Sequence, residues 1–493
     1  MTTGNGGTKR GMWGTRLGFI LAAAGSAVGL GNVWKFPYIT GENGGGLFVL
    51  IYLVCIAAVG LPIMIGEVLM GRATQTTPVG AFAKLAGENS SWKLVGWLGV
   101  ASGFVILSYY SVVAGWAVNY LLMSICHFFA DKSPEEIEGL FGVLFVAADI
   151  NVFWHLVFIA ITAGIVIGGV EKGIERWSRL LMPVMVGLLV LLAIRAVTTP
   201  GVFQALDFLF MPHASKLKPS SVLEALGHAF FTLSLGMGAM LTYGSYLNRK
   251  ANIVTSSLWI TGLDTAIAMI ACIAIFPILF TFGMEPGKGP GLVFQTMPIL
   301  FSQMGAGLLL AILFFALLVF AALTSAISLL EVVSSSFIDM LGWTRRKATL
   351  VSASAIFILG VPSALAGSGK LFGSWGTLFG KNFFDTMDYL ASNWMLPMGG
   401  LFIAIFVGWF MKADLRRKEL LAGTPEDQAG LWSTVYTVWV VVLKFVVPLL
   451  VFIVLLNKIG VLPTDKINEL FGAGEETTEE SAEAPADASG EEQ

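Results

Sequence analysis

Gly25-Ser26-Ala27-Val28-Gly29-Leu30-Gly31 and Ser234-Leu235-Gly236-Met237-Gly238 interrupt two long apolar stretches of this chain. Each glycine disfavours a continuous helix by about 1 kcal/mol relative to alanine, so both stretches are expected to break there. At membrane depth a break frees carbonyl and N–H groups that hydrocarbon cannot satisfy, and it persists only where it lines a cavity or grips a ligand. Freed carbonyls suit cations, and freed N–H groups suit anions. A third element, Ala321-Ala322-Leu323-Thr324-Ser325, sets adjacent hydroxyls in an apolar run. Together with carbonyls of the first break, these hydroxyls would make an all-oxygen cage of the kind a hard cation requires. Taken singly, glycines also serve close helix packing, and helical hydroxyls ordinarily bond the carbonyl one turn back. Two breaks five spans apart, however, point to a binding site between two inverted halves. No internal sequence repeat is visible, so the symmetry rests on span order.

Ionisable residues inside apolar runs are the fourth element: Glu67, Asp264 and Glu331, with Lys35 and Asp388 near outer ends. Burying such a charge costs roughly several kcal/mol, which invites a functional reading. Glu67 is expected to act as a brace that accepts the freed N–H groups of an unwound segment.

The elements that must position these groups follow from composition. The chain has 493 residues, 56% hydrophobic and 12% charged, far from the charged fraction of roughly a quarter found in soluble domains. It is read as an all-α polytopic membrane protein. Apolar runs near the length needed to cross a bilayer fall at 14–38, 46–70, 94–126, 151–170, 178–197, 222–247, 255–283, 305–338, 348–366, 386–411 and 433–457, which makes eleven spans. Lys and Arg are held near cytoplasmic ends. The N-terminal bases and the alternate clusters Arg72/Lys84/Lys93, Lys172/Arg176/Arg179, Arg249/Lys250, Arg345/Arg346/Lys347 and Lys412/Arg416/Arg417/Lys418 therefore place the N-terminus in the cytoplasm and, after an odd number of spans, the C-terminus outside. The first apolar run is too long for a cleavable signal and is expected to be retained.

Cys55, Cys126 and Cys272 lie in or beside apolar runs and read as small packing residues, and the four His are scattered. Nothing points to zinc, haem, nucleotide or nucleic acid. With no nucleophile and base in register, an enzyme is not expected. Beyond Phe471 come eight acids and no base, and removing those acids turns the formal charge from −3 to +5. This tail is expected to be disordered.

Several motifs in order then resemble the neurotransmitter:sodium symporter family, in its bacterial amino-acid branch. They are Trp13-Gly14-Thr15-Arg16, Ala27-Val28-Gly29-Leu30-Gly31-Asn32-Val33-Trp34-Lys35-Phe36-Pro37, Glu42-Asn43-Gly44-Gly45-Gly46, Gly66-Glu67 with Gly71-Arg72, Phe231-Thr232-Leu233-Ser234-Leu235-Gly236 and Leu323-Thr324-Ser325. The resemblance runs from about 9 to 457. It implies an inverted five-plus-five helix repeat with helices 1 and 6 broken, in an eleven-helix form without the usual twelfth helix. The division it implies is a cytoplasmic segment 1–12, a transporter domain 13–458 (repeat one 13–197, repeat two 222–411, extra helix 433–457) and the acidic tail 459–493. It implies Na+-coupled import of an amino acid by alternating access across a bacterial inner membrane. The contrasting class is a sensor or channel that binds amino acid and Na+ without accumulating solute; gates on both sides argue against a channel.

Carried over by position, the resemblance implies one sodium site from Gly25, Val28, Ala321, Thr324 and Ser325, and another from Ala27, Asn32, Thr232 and Asp264 with the substrate carboxylate. Gly29, where amine-transporting relatives carry Asp, leaves the carboxylate to the ligand. That carboxylate would meet the N–H groups of Leu30 and Gly31 and the Tyr110 hydroxyl. The ammonium would meet Ala27, Phe231, Thr232 and Ser234. Ile106, Tyr110, Phe231, Met237, Ser325 and Leu329 would line the remaining pocket, an apolar one that suits aliphatic and aromatic side chains. Tyr52, His228, Thr232, Asp264 and Ala268 match the chloride site of chloride-dependent relatives. The Asp264 carboxylate would replace the chloride charge, so chloride-independent transport is expected. An uncompensated buried charge is costly, so the empty carrier is expected to return with a proton on Asp264, shared with His228. Lys35 and Asp388 would form the outer gate, with Arg10 and Asp339 the inner one beside Trp13 and Tyr246. Gly173 to Pro183 match a Gly-x9-Pro arrangement in the fifth span that lets water reach the sodium cage. The expected partners are substrate, Na+, lipid and, at most, a second copy of the chain as a homodimer.

Overall fold

An apolar run in lipid must satisfy its own backbone, and a helix does so within one segment. The computed structural model, which describes residues 11–130, 132–212, 217–284, 291–372 and 374–461, is built of helices with no strand among those residues. Among the described residues, nine helices are each long and apolar enough to cross a membrane: Gly46–Thr74, Lys93–Ile125, Ala148–Ile167, Val170–Ala196, Ile253–Thr281, Gly307–Leu341, Arg345–Ala364, Trp375–Phe410 and Glu426–Lys458. Arg16–Ala27 and Gly31–Glu42 form a tenth span bent by 52°. The remaining expected span is also broken, into Pro219–Thr232 and Ala239–Gly244, each too short to cross alone. In chain order these are spans one to eleven, the first and sixth interrupted where glycine clusters predict.

Several boundaries differ from the hydropathy reading, the tenth and eleventh spans beginning at Trp375 and Glu426 where 386 and 433 are expected. The fifth span begins at Val170 and not at 178, because its charged opening, Val170–Glu175, is already wound as a π-helix. Gly169 enters it with φ +84, and a side chain on Gly173 would collide with the Ile165 carbonyl. The fourth span is Ala148–Ile167, three residues earlier than expected. Short helices invisible to a search for spans fill the connections, among them Pro134–Val146, Val202–Phe210 and Ala413–Leu421. The first of these starts on a capping box, with Ser133 N–H donating to Glu136 Oε2 at 2.8 Å and Glu136 N–H donating to Ser133 Oγ at 3.3 Å.

The third and eighth spans run along each other, and the first half of the first span is held against the fifth, seventh and eighth. The broken spans thus lie at the centre, where Asn32, Thr232 and Asp264 are buried. Leu50, Val54, Trp259 and Leu449 stay exposed on the outside, as a lipid-facing surface requires. Residues 1–10 and 462–493, which hold Arg10 and the acidic tail, lie outside the described residues.

Candidate functional site

The first break is built by its glycines. Arg16–Ala27 ends at Val28, whose backbone is extended (φ −71, ψ 113), and the chain re-enters a helix through a π-turn at Gly31–Lys35. Asn32 stitches the gap: its Oδ1 accepts from the Gly29 N–H at 2.9 Å. A Cβ on Gly29 would fall 2.6 Å from Ser325 Oγ and 3.0 Å from the Tyr110 hydroxyl, and one on Gly31 would touch the Phe231 ring at 3.1 Å. Only glycine leaves these approaches open.

The second break is held from outside. Ser234, Gly236 and Gly238 have positive φ of 54, 79 and 75, and a Cβ on Gly236 would overlap the Leu396 carbonyl. The turn frees N–H groups that Glu67 accepts, at 2.7 Å from Gly236 and 3.3 Å from Leu241. Glu67 is therefore placed as a brace between the second span and the sixth. Ser234 Oγ then donates to the Ser26 carbonyl at 2.8 Å, which ties the two breaks together.

Between the breaks lies a small cavity of about 30 Å³. All eleven residues expected to contact substrate line it: Ala27, Leu30, Gly31, Ile106, Tyr110, Phe231, Thr232, Ser234, Met237, Ser325 and Leu329. Ser26 and Gly29 line it too. Ser26 was not among the contacts expected from sequence, although a hydroxyl inside a glycine-rich break was a signal for it; its Oγ donates to Ser328 Oγ at 2.6 Å. The Leu30 N–H lies 3.4 Å from the Tyr110 hydroxyl.

Two oxygen clusters flank the cavity. In one, Ser325 Oγ lies 3.5 Å from the Gly25 carbonyl and 3.2 Å from each of the Ser26 and Val28 carbonyls, while Thr324 Oγ1 lies 3.0 Å from the Ala321 carbonyl. The five groups assigned to the first sodium site are thus gathered from the first and eighth spans, all neutral oxygens. In the other, Asp264 accepts from Asn32 Nδ2 at 2.7 Å and from Thr232 Oγ1 at 3.1 and 3.2 Å. Beside this cluster the buried His228 ring stacks on Phe36 at 5.7 Å and lies 5.6 Å from Tyr52. Its nitrogens make no hydrogen bond among the described residues.

Above the central cavity a larger one of about 230 Å³ is bordered by Trp34, Lys35, Tyr38, Tyr109, Asp385 and Asp388. Tyr110 and Phe231 border both cavities and form the layer between them. Lys35 and Asp388 share this outer space, but each has its own partner: the Lys35 ammonium sits 5.0 Å from the Phe231 ring centroid, and Asp388 accepts from Tyr109 and Ser392 hydroxyls, both at 3.0 Å. A flexible point charge takes the aromatic face where a planar fork would favour the carboxylate.

On the opposite side Trp13 plugs the start of the first span. Its indole N–H donates to the Tyr243 carbonyl at 2.8 Å, its backbone N–H to the Tyr246 carbonyl at 3.1 Å, and its ring meets both tyrosines edge-on. The Tyr246 hydroxyl donates to Glu331 at 2.6 Å, and Arg345 clasps the same carboxylate at 2.7 and 3.0 Å. Asp339 accepts from the Thr76 hydroxyl and the Thr77 N–H at 2.9 and 3.1 Å. Its expected partner Arg10 lies outside the described residues.

Paired broken helices meeting at a central pocket define a secondary transporter of the inverted-repeat kind. The chain belongs to the sodium:neurotransmitter symporter family, whose family model matches residues 10–134 and 145–472. It is similar to an uncharacterized sodium-dependent transporter, YhdH, of Bacillus subtilis, with 39% identity over 91% of this chain and 98% of the relative. A second uncharacterized sodium-dependent transporter, from Haemophilus influenzae, is 37% identical over 93% of this chain and all of its own length. Among solved structures, MhsT in complex with L-phenylalanine matches with a TM-score of 0.82 and 43% identity over 91% of this chain and 99% of that one. The protein is a sodium-dependent symporter, not an enzyme, and spans the membrane several times.

Proposed function

We propose that the protein imports hydrophobic L-amino acids, aliphatic and aromatic, with two Na+ per substrate and without chloride. The observation that carries this reading is the lining of the central pocket. Ile106, Phe231, Met237 and Leu329 offer only apolar walls to a side chain, whereas Gly29 leaves the Leu30 and Gly31 end to a carboxylate. The L-phenylalanine bound by MhsT is a ligand of this chemistry. One Na+ takes the five neutral oxygens of Gly25, Val28, Ala321, Thr324 and Ser325. The other takes Ala27, Asn32, Thr232, Asp264 and an oxygen of the ligand itself, so ion and substrate bind in one step and each raises the affinity for the other.

Lys35 and Asp388 close the outer side, and Trp13, Tyr246 and Asp339 of the transporter domain 13–458 close the inner one together with Arg10 of the preceding cytoplasmic segment 1–12. Two Na+ with one zwitterion move two charges, about 4.6 kcal/mol per 100 mV, which sustains roughly a 10³-fold gradient. A proton exported on Asp264 would lower that share.

Uptake of radiolabelled Leu and Trp into proteoliposomes, with and without an inward Na+ gradient, tests the reading. Accumulation that requires Na+ is the expected result. Binding without accumulation would make the protein a sensor. Within the same assay, Met237→Phe replaces an adaptable thioether wall by a rigid ring, and uptake of Trp is expected to fall about tenfold relative to Leu. An unchanged Trp-to-Leu ratio would show that Met237 does not set which side chains the pocket admits.

A further inference from the structure

Glu175 lies outside the central pocket, yet it is only 2% exposed although it borders an open cavity of about 890 Å³ beside the start of the first span. It closes the π-helical opening of the fifth span. Its carboxylate accepts from the Gly14 N–H at 2.8 Å and the Thr15 hydroxyl at 3.2 Å, and it pairs with Arg179 at 2.7 Å. Arg179 also donates to the Thr15 hydroxyl. Thr15 in turn caps the first span, accepting from the Gly18 N–H at 2.9 Å. A Cβ on Gly18 would overlap the carboxylate, so glycine there makes room for it. One carboxylate thus fastens the start of the first span to the start of the fifth. Two turns further on the same spans meet again: a Cβ on Gly25 would touch Met182 at 3.2 Å and Thr324 at 3.3 Å, at the oxygen cage.

We propose that Glu175 is a positioning residue of the transport cycle, a latch between the first and fifth spans whose release opens the cytoplasmic route to the oxygen cage. This rests on the alternating-access reading above. The latch has two states for a physical reason. A buried carboxylate keeps its charge only with its donors, and all of them lie on the two spans that must separate. When the spans part, the carboxylate loses the Gly14 and Thr15 donors together and turns, with Arg179 of its own span, into the open cavity beside it, so no intermediate with a bare buried charge is populated.

The test reads accessibility, not transport. In full-length protein with Cys126→Ser, the exposed native thiol is removed. Met182→Cys then reports the inner route to a charged maleimide added from the cytoplasmic face, and Val113→Cys, on the outer cavity, reports the opposite side. Glu175→Ala and Gly18→Ala break the latch by different means, one deleting the carboxylate and the other displacing it. Each is expected to speed inner labelling about tenfold, the effect of losing hydrogen bonds to a charged group, and to slow outer labelling. The double variant is expected to match Glu175→Ala alone, since a methyl group at position 18 fits once the carboxylate is gone. Inner labelling that stays unchanged in both single variants would overturn the proposal. So would inner and outer labelling rising together, which marks general loosening, or a Gly18→Ala effect that adds to Glu175→Ala. Because no amino acid enters the assay, an error in the proposed substrate leaves the outcome unaffected.

Discussion

Gly29→Asp is expected to reduce amino-acid uptake by on the order of 10² or more and to create Na+-dependent binding of aromatic amines that lack a carboxylate. Any side chain at 29 starts 2.6 Å from Ser325 Oγ and 3.0 Å from the Tyr110 hydroxyl. Ser325 cannot simply retreat, because its hydroxyl lies against the Gly25, Ser26 and Val28 carbonyls. The new carboxylate would therefore take the space proposed for the ligand carboxylate, near Leu30 N–H and Tyr110. An amino acid would then bring a second anion to a site with donors for one, and like charges in close quarters exclude it. An amine brings none and pairs with the new aspartate.

Gly29→Ala separates the two parts of this argument. It adds the Cβ overlap without the charge, so amino-acid uptake is expected to fall while amine binding stays absent. Radiolabel binding of Leu and of tyramine to purified protein, in Na+ and in its absence, checks both variants. Retention of amino-acid uptake within about threefold in Gly29→Asp would show that the ligand carboxylate lies elsewhere.

Both breaks were legible in sequence because glycine carries its own conformational signal, and the structure opens the helices at Val28, inside the first expected stretch, and at Leu233, one residue before the second. Glu67 was legible as a brace because a charge in an apolar run demands a partner, and freed N–H groups were the nearest supply. The meeting of Asn32, Thr232 and Asp264 was not readable from periodicity, since contact across hundreds of residues depends on topology; only family resemblance placed them together. Glu175 was missed for a different reason. Lys172, Arg176 and Arg179 read as a basic cytoplasmic loop, whereas a π-helix entered at Gly169 winds this stretch into the fifth span and leaves Glu175 buried. Lys35 and Asp388 show a subtler limit. Sequence put them at one outer closure, and the structure puts them around one cavity, but the partner each side chain takes depends on Phe231 and Tyr109, which charge pairing alone does not weigh.

The second large effect is expected from Asp264→Asn, which should make uptake depend on chloride. Asp264 is fully buried and accepts from Asn32 and Thr232, and when ionised it would supply a negative charge where a bound Na+ and the ligand are proposed to meet. At about 4 Å and an effective dielectric constant near 20, one such charge contributes about 4 kcal/mol to holding a monovalent cation, a factor of roughly 10³. Asparagine keeps the shape and removes the charge, so uptake in gluconate medium is expected to fall by about two to three orders of magnitude. Chloride should restore much of it, because His228 and Tyr52 stand beside the site and the neutral variant no longer repels an anion there. Na+-driven Leu uptake in chloride and gluconate media, with Na+-dependent binding at high Na+ as the check on folding, decides the matter. Equal uptake of variant and parent in gluconate would dismiss Asp264 as the charge that replaces chloride, whereas loss in both media with binding intact would give it a further duty in the return of the empty carrier.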